Sequence, residues 1–394
     1  MKVIDGKYNQ ALVYTDKIEG LAEQQVKNLC DHSFVTGSRI RIMPDAHAGA
    51  GCTIGTTMTI SDKIVPNLVG VDIGCGMHVT RLMRTKVDFA KLDNVIKTHV
   101  PYGFDVRALP HEYNADVNLD DLHCKKHLNL ERARLSIGTL GGGNHFIEVN
   151  ADEDGGLYLV IHSGSRYLGK QIAEHYQERA GKEMTGVLCG EIIGRLKSEG
   201  REKEIQREIK AAKAGISKEL AYLEGQSFED YVHDMSIAQR YADLNRRAMA
   251  EVIIREMGFR TEGSFTTIHN YIDQDEMILR KGAISAKKGE LVIIPINMRD
   301  GSIIATGKGN EDWNKSAPHG AGRVMSRSQA RRVLSMEDFR QSMAEVYSST
   351  VTGDTIDEAP AAYKPMEEII AAMEPTVEIN NIIRPLYNFK ASGD

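Results

Sequence analysis

Residues 70–77 read Gly-Val-Asp-Ile-Gly-Cys-Gly-Met, and few folds can use such a stretch without purpose. It sets a carboxylate, Asp72, and a thiol, Cys75, three positions apart in a loop that follows an apolar run. Gly70, Gly74 and Gly76 let backbone and ligand approach closely, and Asp with Cys makes a mixed oxygen/sulfur donor set. Four histidine-bearing segments carry the same Gly or Asn punctuation: "GGGNHFIE" at 141–148, "HSGSR" at 162–166, "TTIHNY" at 266–271 and "PHGAGR" at 318–323. Donors this far apart in the chain can meet only if the whole fold converges on them. That is the pattern of an enzyme's metal centre, not of a small metal-stapled finger.

The bulk numbers set limits. A chain of 394 residues can bury about three quarters of its unfolded surface. Length alone suggests two or three domains, yet no Pro/Ser-rich linker, low-complexity tract or internal repeat divides 1–394, and the reading of it as one domain rests on the resemblance below. Net charge is −6, so a polyanionic partner would have to meet a local basic surface. The five cysteines are odd in number and lack CxxC spacing, which fits reduced thiols in the cytoplasm. No apolar leader opens the sequence and no run reaches membrane-span length, so a soluble protein with no membrane partner is expected.

Along the chain, a short helix is expected over 17–30. From 39 to 84 come short β-type runs, "RIRIM", "TIGTTMTI", "KIVPNLVGVDI" and "HVTRLM", too closely spaced for helical crossovers; antiparallel or mixed pairing follows. A helix near 88–99 and an irregular stretch over 101–130 precede strands at 145–149 and 157–162. A helix should begin after "HSGSR" and run over about 167–186. Residues 191–222 are densely charged and read as a solvated helical excursion, with an RNA- or partner-binding arm as the lesser reading. The longest helical pattern is 228–257. Strands return at 276–280, 290–295 and 302–307; helices follow near 323–333 and 336–346, then a β-like tail. Without regular βαβ alternation the fold class is α+β, with mixed or antiparallel sheets around a central metal cleft and helices at the periphery.

The chemistry concentrates in the punctuated segments. A histidine at a strand end beside a glycine turn can project into a cleft while its second ring nitrogen is held by a backbone partner. His145, His162 and His269 all have such settings, and with Asp72 and Cys75 they form the candidate metal set. Thiolate and imidazole alone favour zinc; the carboxylate admits manganese. His319 stands between Pro318 and a Gly-Ala-Gly turn, with Arg323, Arg327, Arg331 and Arg332 following on an expected helix. A neutral imidazole can attack phosphorus and hand the group on, helped by a helix N-terminus and arginines. A loop histidine capping a solvated basic helix is the plain alternative. His47 stays open between a site residue and a turn. "GTLGGGN" (138–144) is not a dinucleotide fingerprint, and "HSGSR" is not a nucleophile elbow.

Taken together and in order, these segments resemble the RtcB family of 3′-phosphate RNA ligases. The likeness runs from "MPDAHAGAG" (43–51) through "GVDIGCGM", "GTLGGGNHFIE", "HSGSR", "HNY", "RKGAISA" (280–286), "GKGN" (307–310) and "HGAGRVMSR" (319–327) to "AYK" (362–364) and the tail. The resemblance implies an RtcB-like catalytic domain that uses GTP and two Mn2+ ions. It implies that His319 forms a guanylyl-histidine, and that the guanylyl group passes to an RNA 3′-phosphate. A 5′-hydroxyl then displaces GMP, and 2′,3′-cyclic phosphate ends are first opened at the same site. It assigns Asp72, Cys75, His145, His162 and His269 as metal ligands, with Cys75 bridging, which replaces zinc by manganese. It assigns Asn144 and Arg166 to phosphate, Glu148 to the guanine edge, Tyr363 to the base and Lys390 to the same nucleotide. Asp45 would orient His319 through its other ring nitrogen.

The chain departs from the family's P-G-S-M-G-type loop, reading Pro295-Ile296-Asn297-Met298-Arg299-Asp300-Gly301, and it carries Ala50 where a basic or aromatic residue is common. A shorter, divergent branch repairing a broken RNA or splicing tRNA is the leading expectation. A manganese phosphodiesterase that opens cyclic phosphates without sealing, and a non-catalytic RNA-binding paralogue, are the alternatives. The sequence leaves open which RNA is the substrate and whether an activating helper protein is needed.

Overall fold

The computed structural model describes residues 1–214 and 217–391. Its larger sheet has seven antiparallel strands in the order Thr261–Ile268, Gly76–Leu82, Leu157–Ser163, Phe146–Ala151, Val377–Lys390, Gly301–Gly307, Leu291–Asn297. Period-two alternation divides its residues between two apolar layers. Ile147, Val149, Leu157, Leu159, Ile161, Tyr387 and Phe389 pack with Met249 and Ile253 of the helix Gln226–Met257 and with Leu92 and Ile96 of the helix Phe89–His99. Their neighbours Met77, Val79, Phe146, Tyr158 and Val160 meet Ile293, Ile304 and Ile383 on the other face. Ile293 belongs to one edge strand, and its N–H donates to Thr267 Oγ1 of the opposite edge strand at 3.3 Å. The sheet therefore curls into a half-barrel, and the second face becomes its inside.

A six-stranded sheet stands beside it, ordered Lys2–Asp5, Gln10–Val13, Ile40–His47, Ile54–Thr59, Ile278–Lys281, Asn270–Asp273, with one parallel pair between Gln10–Val13 and Ile40–His47. The chain passes from one sheet to the other at His269, between Thr261–Ile268 and Asn270–Asp273. Mixed pairing and an α+β composition match the sequence reading.

Several elements differ from expectation. "KIVPNLVGVDI" is not one strand: only Lys63–Ile64 pairs, with Leu223–Glu224, because Pro66 opens a 3-10 turn over Pro66–Leu68. The helix expected over 167–186 runs over Arg166–Ser198, one residue longer than Gln226–Met257. The charged stretch continues into the helix Ile205–Ala214, joined to it by the Arg195–Glu208 pair at 3.1 Å, and regains the core at Leu220 and Ala221; residues 215 and 216 of it lie outside the described residues. The basic helix starts only at Arg327, eight residues past His319, and is seven residues long. The next helix ends at Ser342 instead of 346. The termination of Gln226–Met257 is legible in the sequence: Gly258 adopts φ +70°, and Phe259 N–H closes on Ile254 O at 2.9 Å while its ring joins the core.

Candidate metal centre and adjoining cavity

Strand register assembles the donors. Met77 and Phe146 both stand opposite His162 on neighbouring strands, so Cys75, just before the first of these strands, and His145, just before the other, meet His162 at one sheet end. His269 joins through its N–H on Cys75 O at 3.0 Å. Cys75 Sγ lies 3.3 Å from His162 Nε2 and 3.5 Å from His145 Nε2, and His145 Nε2 lies 3.1 Å from Asp72 Oδ2. Two overlapping groups result, Cys75/His162/His269 and Asp72/Cys75/His145, each with donor atoms within 4.8 Å of one another and with Cys75 in common.

Backbone contacts hold the rings in this pose. His145 Nδ1 faces Leu140 O at 3.0 Å and His162 Nδ1 faces Asn144 O at 3.2 Å, which leaves both Nε2 atoms turned to the thiol. Asp72 Oδ1 accepts from Ser165 N–H at 3.0 Å. A Cβ on Gly164 would stand 2.1 Å from that oxygen, so the carboxylate's position requires glycine there. Burial opposes ionisation of Asp72, but the His145 contact and Arg166 override it and hold the carboxyl down at about 2. Burial and the Asp72 charge push the Cys75 thiol up, and burial depresses His162 and His269, so both imidazoles are neutral. Neutral imidazoles and a carboxylate packed round a thiol suit a divalent cation, which would itself draw off the thiol proton.

His319 follows the strand Ser316–Pro318, which pairs with Ala283–Ser285. Its ring centroid is 4.9 Å from that of His269. Asp45, fully buried, accepts from His319 backbone N–H at 3.1 Å, and the same Oδ2 lies 2.7 Å from Nδ1. Gly322, at φ +72°, allows this approach: a Cβ there would meet Asp45 O at 2.4 Å.

A cavity of about 270 Å³ opens beside the cluster; its lining includes His162, His269 and His319 together with Asn144, Phe146, Glu148, Tyr363 and Lys390. Phe146, Glu148, Asn388 and Lys390 share the inner face by register. Glu148 accepts from Asn388 Nδ2 at 2.7 Å and Asn150 Nδ2 at 3.2 Å, yet burial pushes its carboxyl up to about 7. Tyr363 OH donates to Glu358 at 2.6 Å, and Arg327 and Lys390 pair with the same buried carboxylate. Burial opposes that charge, but Lys390 and Arg327 hold Glu358 at about 2. Arg166 lies on the other side of the cluster, at φ +57°, with Nη1 3.2 Å from His145 Nδ1; it lines a second cavity with Asp72, Phe104, Tyr167 and Lys170.

The five expected ligands form the donor cluster; His47, Asn144, Glu148, Arg166, His319, Arg323, Arg327, Tyr363 and Lys390 line one of the two cavities, Asp45 stands behind His319, and Arg331 and Arg332 line neither. Sequence reasoning missed Glu358, which sits in "GDTIDEAP" without motif or periodicity. It also missed Arg246, whose Nη1 donates to Gly74 O and Ser163 O at 2.8 and 2.9 Å. Arg246 is wholly buried, but "NRRAMA" reads as a solvated helix face. Asn270 bonds Asp72 O at 3.1 Å and Gly282 N–H at 2.9 Å, a role that its place in "HNY" could have signalled.

Fold and site define an α+β protein in which two sheets converge on a buried His/Cys/Asp cluster, with a carboxylate-backed histidine at the mouth of a ligand-sized cavity. The family described as tRNA-splicing ligase RtcB matches residues 25–124 and 111–391. The chain is 33% identical to the RNA-splicing ligase RtcB of Escherichia coli (strain K12), over 93% of each chain. It is 28% identical to RNA-splicing ligase RtcB2 of another Escherichia coli strain, over 95% of this chain and 93% of that one. To the tRNA-splicing ligase RtcB of Aeropyrum pernix it is 26% identical, over 83% and 82%. The chain belongs to the RtcB family.

Proposed function

We propose that this chain is an RNA ligase that joins RNA 3′-phosphate or 2′,3′-cyclic phosphate ends to 5′-hydroxyl ends through a guanylyl-histidine on His319. The observation that carries the reading is the contact of His319 Nδ1 with buried Asp45 at 2.7 Å. It turns the other ring nitrogen outward as the nucleophile and gives the cation that forms a carboxylate partner. Nε2 attacks the α-phosphorus of GTP; a P–N bond forms as the bond to pyrophosphate breaks. An oxygen of the RNA 3′-phosphate then takes the guanylyl group and frees the imidazole. The RNA 5′-hydroxyl finally attacks the activated 3′-phosphorus, loses its proton and expels GMP. A cyclic end is first hydrolysed to the 3′-phosphate.

Asp72, Cys75, His145, His162 and His269 would hold two Mn2+ ions, which supply positive charge to attacking and leaving oxygens. Asn144 and Arg166 contact phosphate. Glu148 accepts from the guanine edge, Tyr363 packs on the base and Lys390 reaches it from the tail. The free thiols fit a cytoplasmic setting, and among the described residues no helix is long and apolar enough to cross a membrane. A single catalytic domain is part of the same reading.

The test is retention of label. Incubated with manganese and α-labelled GTP, the wild-type protein retains acid-labile label and His319→Ala retains none. Wild-type protein that takes up no label from any nucleotide would overturn the proposal. Asn297 and Met298, which line the cavity, favour one second reading, a cyclic phosphodiesterase without sealing; it predicts cyclic-phosphate hydrolysis with no nucleotide and no joined product.

A further inference from the structure

A second set of donors lies outside this centre, on the seam where residues 117–129 pack against the helix Gln226–Met257. His123, His233 and Asp234 present ligand atoms within 4.8 Å of one another, and the rings of His123 and His233 are 4.5 Å apart. Asp234 is wholly buried and fixed: it accepts from the N–H groups of His123 and Cys124 at 2.8 and 3.0 Å and from Tyr176 OH at 2.8 Å. The same carboxylate lies 3.1 Å from His233 Nδ1. With Nδ1 turned inward, Nε2 of His233 becomes an outward lone pair, and Asp121 Oδ2 stands 3.5 Å from it. A carboxylate behind an imidazole whose far nitrogen faces other donors is the arrangement that orients metal-binding histidines. Two more imidazoles, His127 and His175, stack 4.4 Å apart.

We propose that this seam is a second divalent-metal site, with zinc as the ion that suits two imidazoles and a carboxylate. His233 Nε2, His123 and Asp121 are the ligands, Asp234 is the orienting carboxylate, and water completes the coordination. Bound there, the ion ties the turn Leu119–Asp121 and the His123 that follows it to a helix that packs on the seven-stranded sheet. The role is a clamp, independent of ligation chemistry.

The experiment uses the full chain and two probes. Zinc binding is counted by equilibrium dialysis for wild type, for His123→Gln and for the double variant H123Q/H233Q. Cobalt(II) titration in a Cys124→Ala background separates the sites: the Cys124 side chain contacts Asp234, and with it removed near-ultraviolet thiolate-to-cobalt charge transfer reports the ion on Cys75. Expected is one fewer zinc per chain in the double variant with the charge-transfer band intact, and a zinc-induced rise in Tm smaller than that of wild type. His123 is exposed, so the single substitution spares the core; should the double variant lose the thiolate band through misfolding, His123→Gln decides, and it should bind zinc more weakly. Equal zinc stoichiometry, equal affinity and equal zinc-induced shifts in wild type and variants would overturn the site.

Discussion

At the scale of single residues, the active centre depends on side chains that act in pairs. Asp45 touches His319 twice, at its backbone N–H and at Nδ1, and in the proposed mechanism its charge sets which ring nitrogen is free. Asp45→Asn keeps the shape but presents an amide to Nδ1, so the rate of label transfer from GTP should fall by about 10²–10⁴-fold, with circular dichroism and GTP binding unchanged. An unchanged rate would leave the tautomer argument without support. Glu148 gives a pH signature. Its carboxyl moves from 4.5 to about 7 on folding because it is buried. Between those values the folded chain holds a proton that the unfolded chain has lost, so stability falls as pH rises through that interval. Glu148→Gln removes the slope: against wild type it should gain up to about 3 kcal/mol by pH 8 and nothing at pH 4, read from urea unfolding. It should also weaken GTP binding where wild-type Glu148 is ionised. Asp45 and Glu148 were reached only through the resemblance, whereas the metal donors were legible because, punctuated by Gly and Asn, they form motifs. Arg246 and Glu358 were not, because a charge buried by tertiary packing has the same local sequence as one in water.

At the scale of elements, what the sequence hid was length and termini. Gly186, Gly190 and Gly194 argue against a helix beyond 186, since each costs about 1 kcal/mol relative to Ala in a helix interior. The helix nevertheless continues to Ser198, with Ile192 and Leu196 buried along it; tertiary burial outweighs the propensity. The strand Ile278–Lys281 shows the same hidden dependence. Arg280 is fully buried and donates to Ser316 Oγ at 2.9 Å, Tyr271 OH at 3.0 Å and Asn314 O at 3.3 Å, and it pairs with Asp273 at 3.3 Å. It therefore fastens the strand that carries His319 to the six-stranded sheet. Arg280→Ala removes one of the two cations on Asp273 and the donor to Tyr271 OH, Ser316 Oγ and Asn314 O, and should cost about 1–3 kcal/mol in denaturant unfolding. A loss under 1 kcal/mol would mean that Lys287, also on Asp273 at 2.7 Å, carries the charge instead.

At the scale of the whole molecule, the cluster sits where the two sheets exchange chain. Cys75 and His145 introduce strands of the half-barrel, His162 nears the end of another, and His269 is the residue between an edge strand of one sheet and an edge strand of the other. The sequence announced the donors and the α+β class, but not this junction, because sheet membership is a long-range property that period-two patterns do not encode. The junction has a thermodynamic consequence. A cation on these donors binds only the folded chain, so at a hundred times its Kd it adds about 2.7 kcal/mol to stability. Chelation should therefore lower Tm by several degrees and manganese should restore it. Hydrogen exchange should rise in 70–76 and 138–145, whereas the strands packed on Gln226–Met257 keep their protection. Cys75→Ala, which lacks the shared donor, should show a Tm that no longer responds to manganese. Identical melting of chelated and manganese-loaded wild type would dissociate the junction from metal altogether.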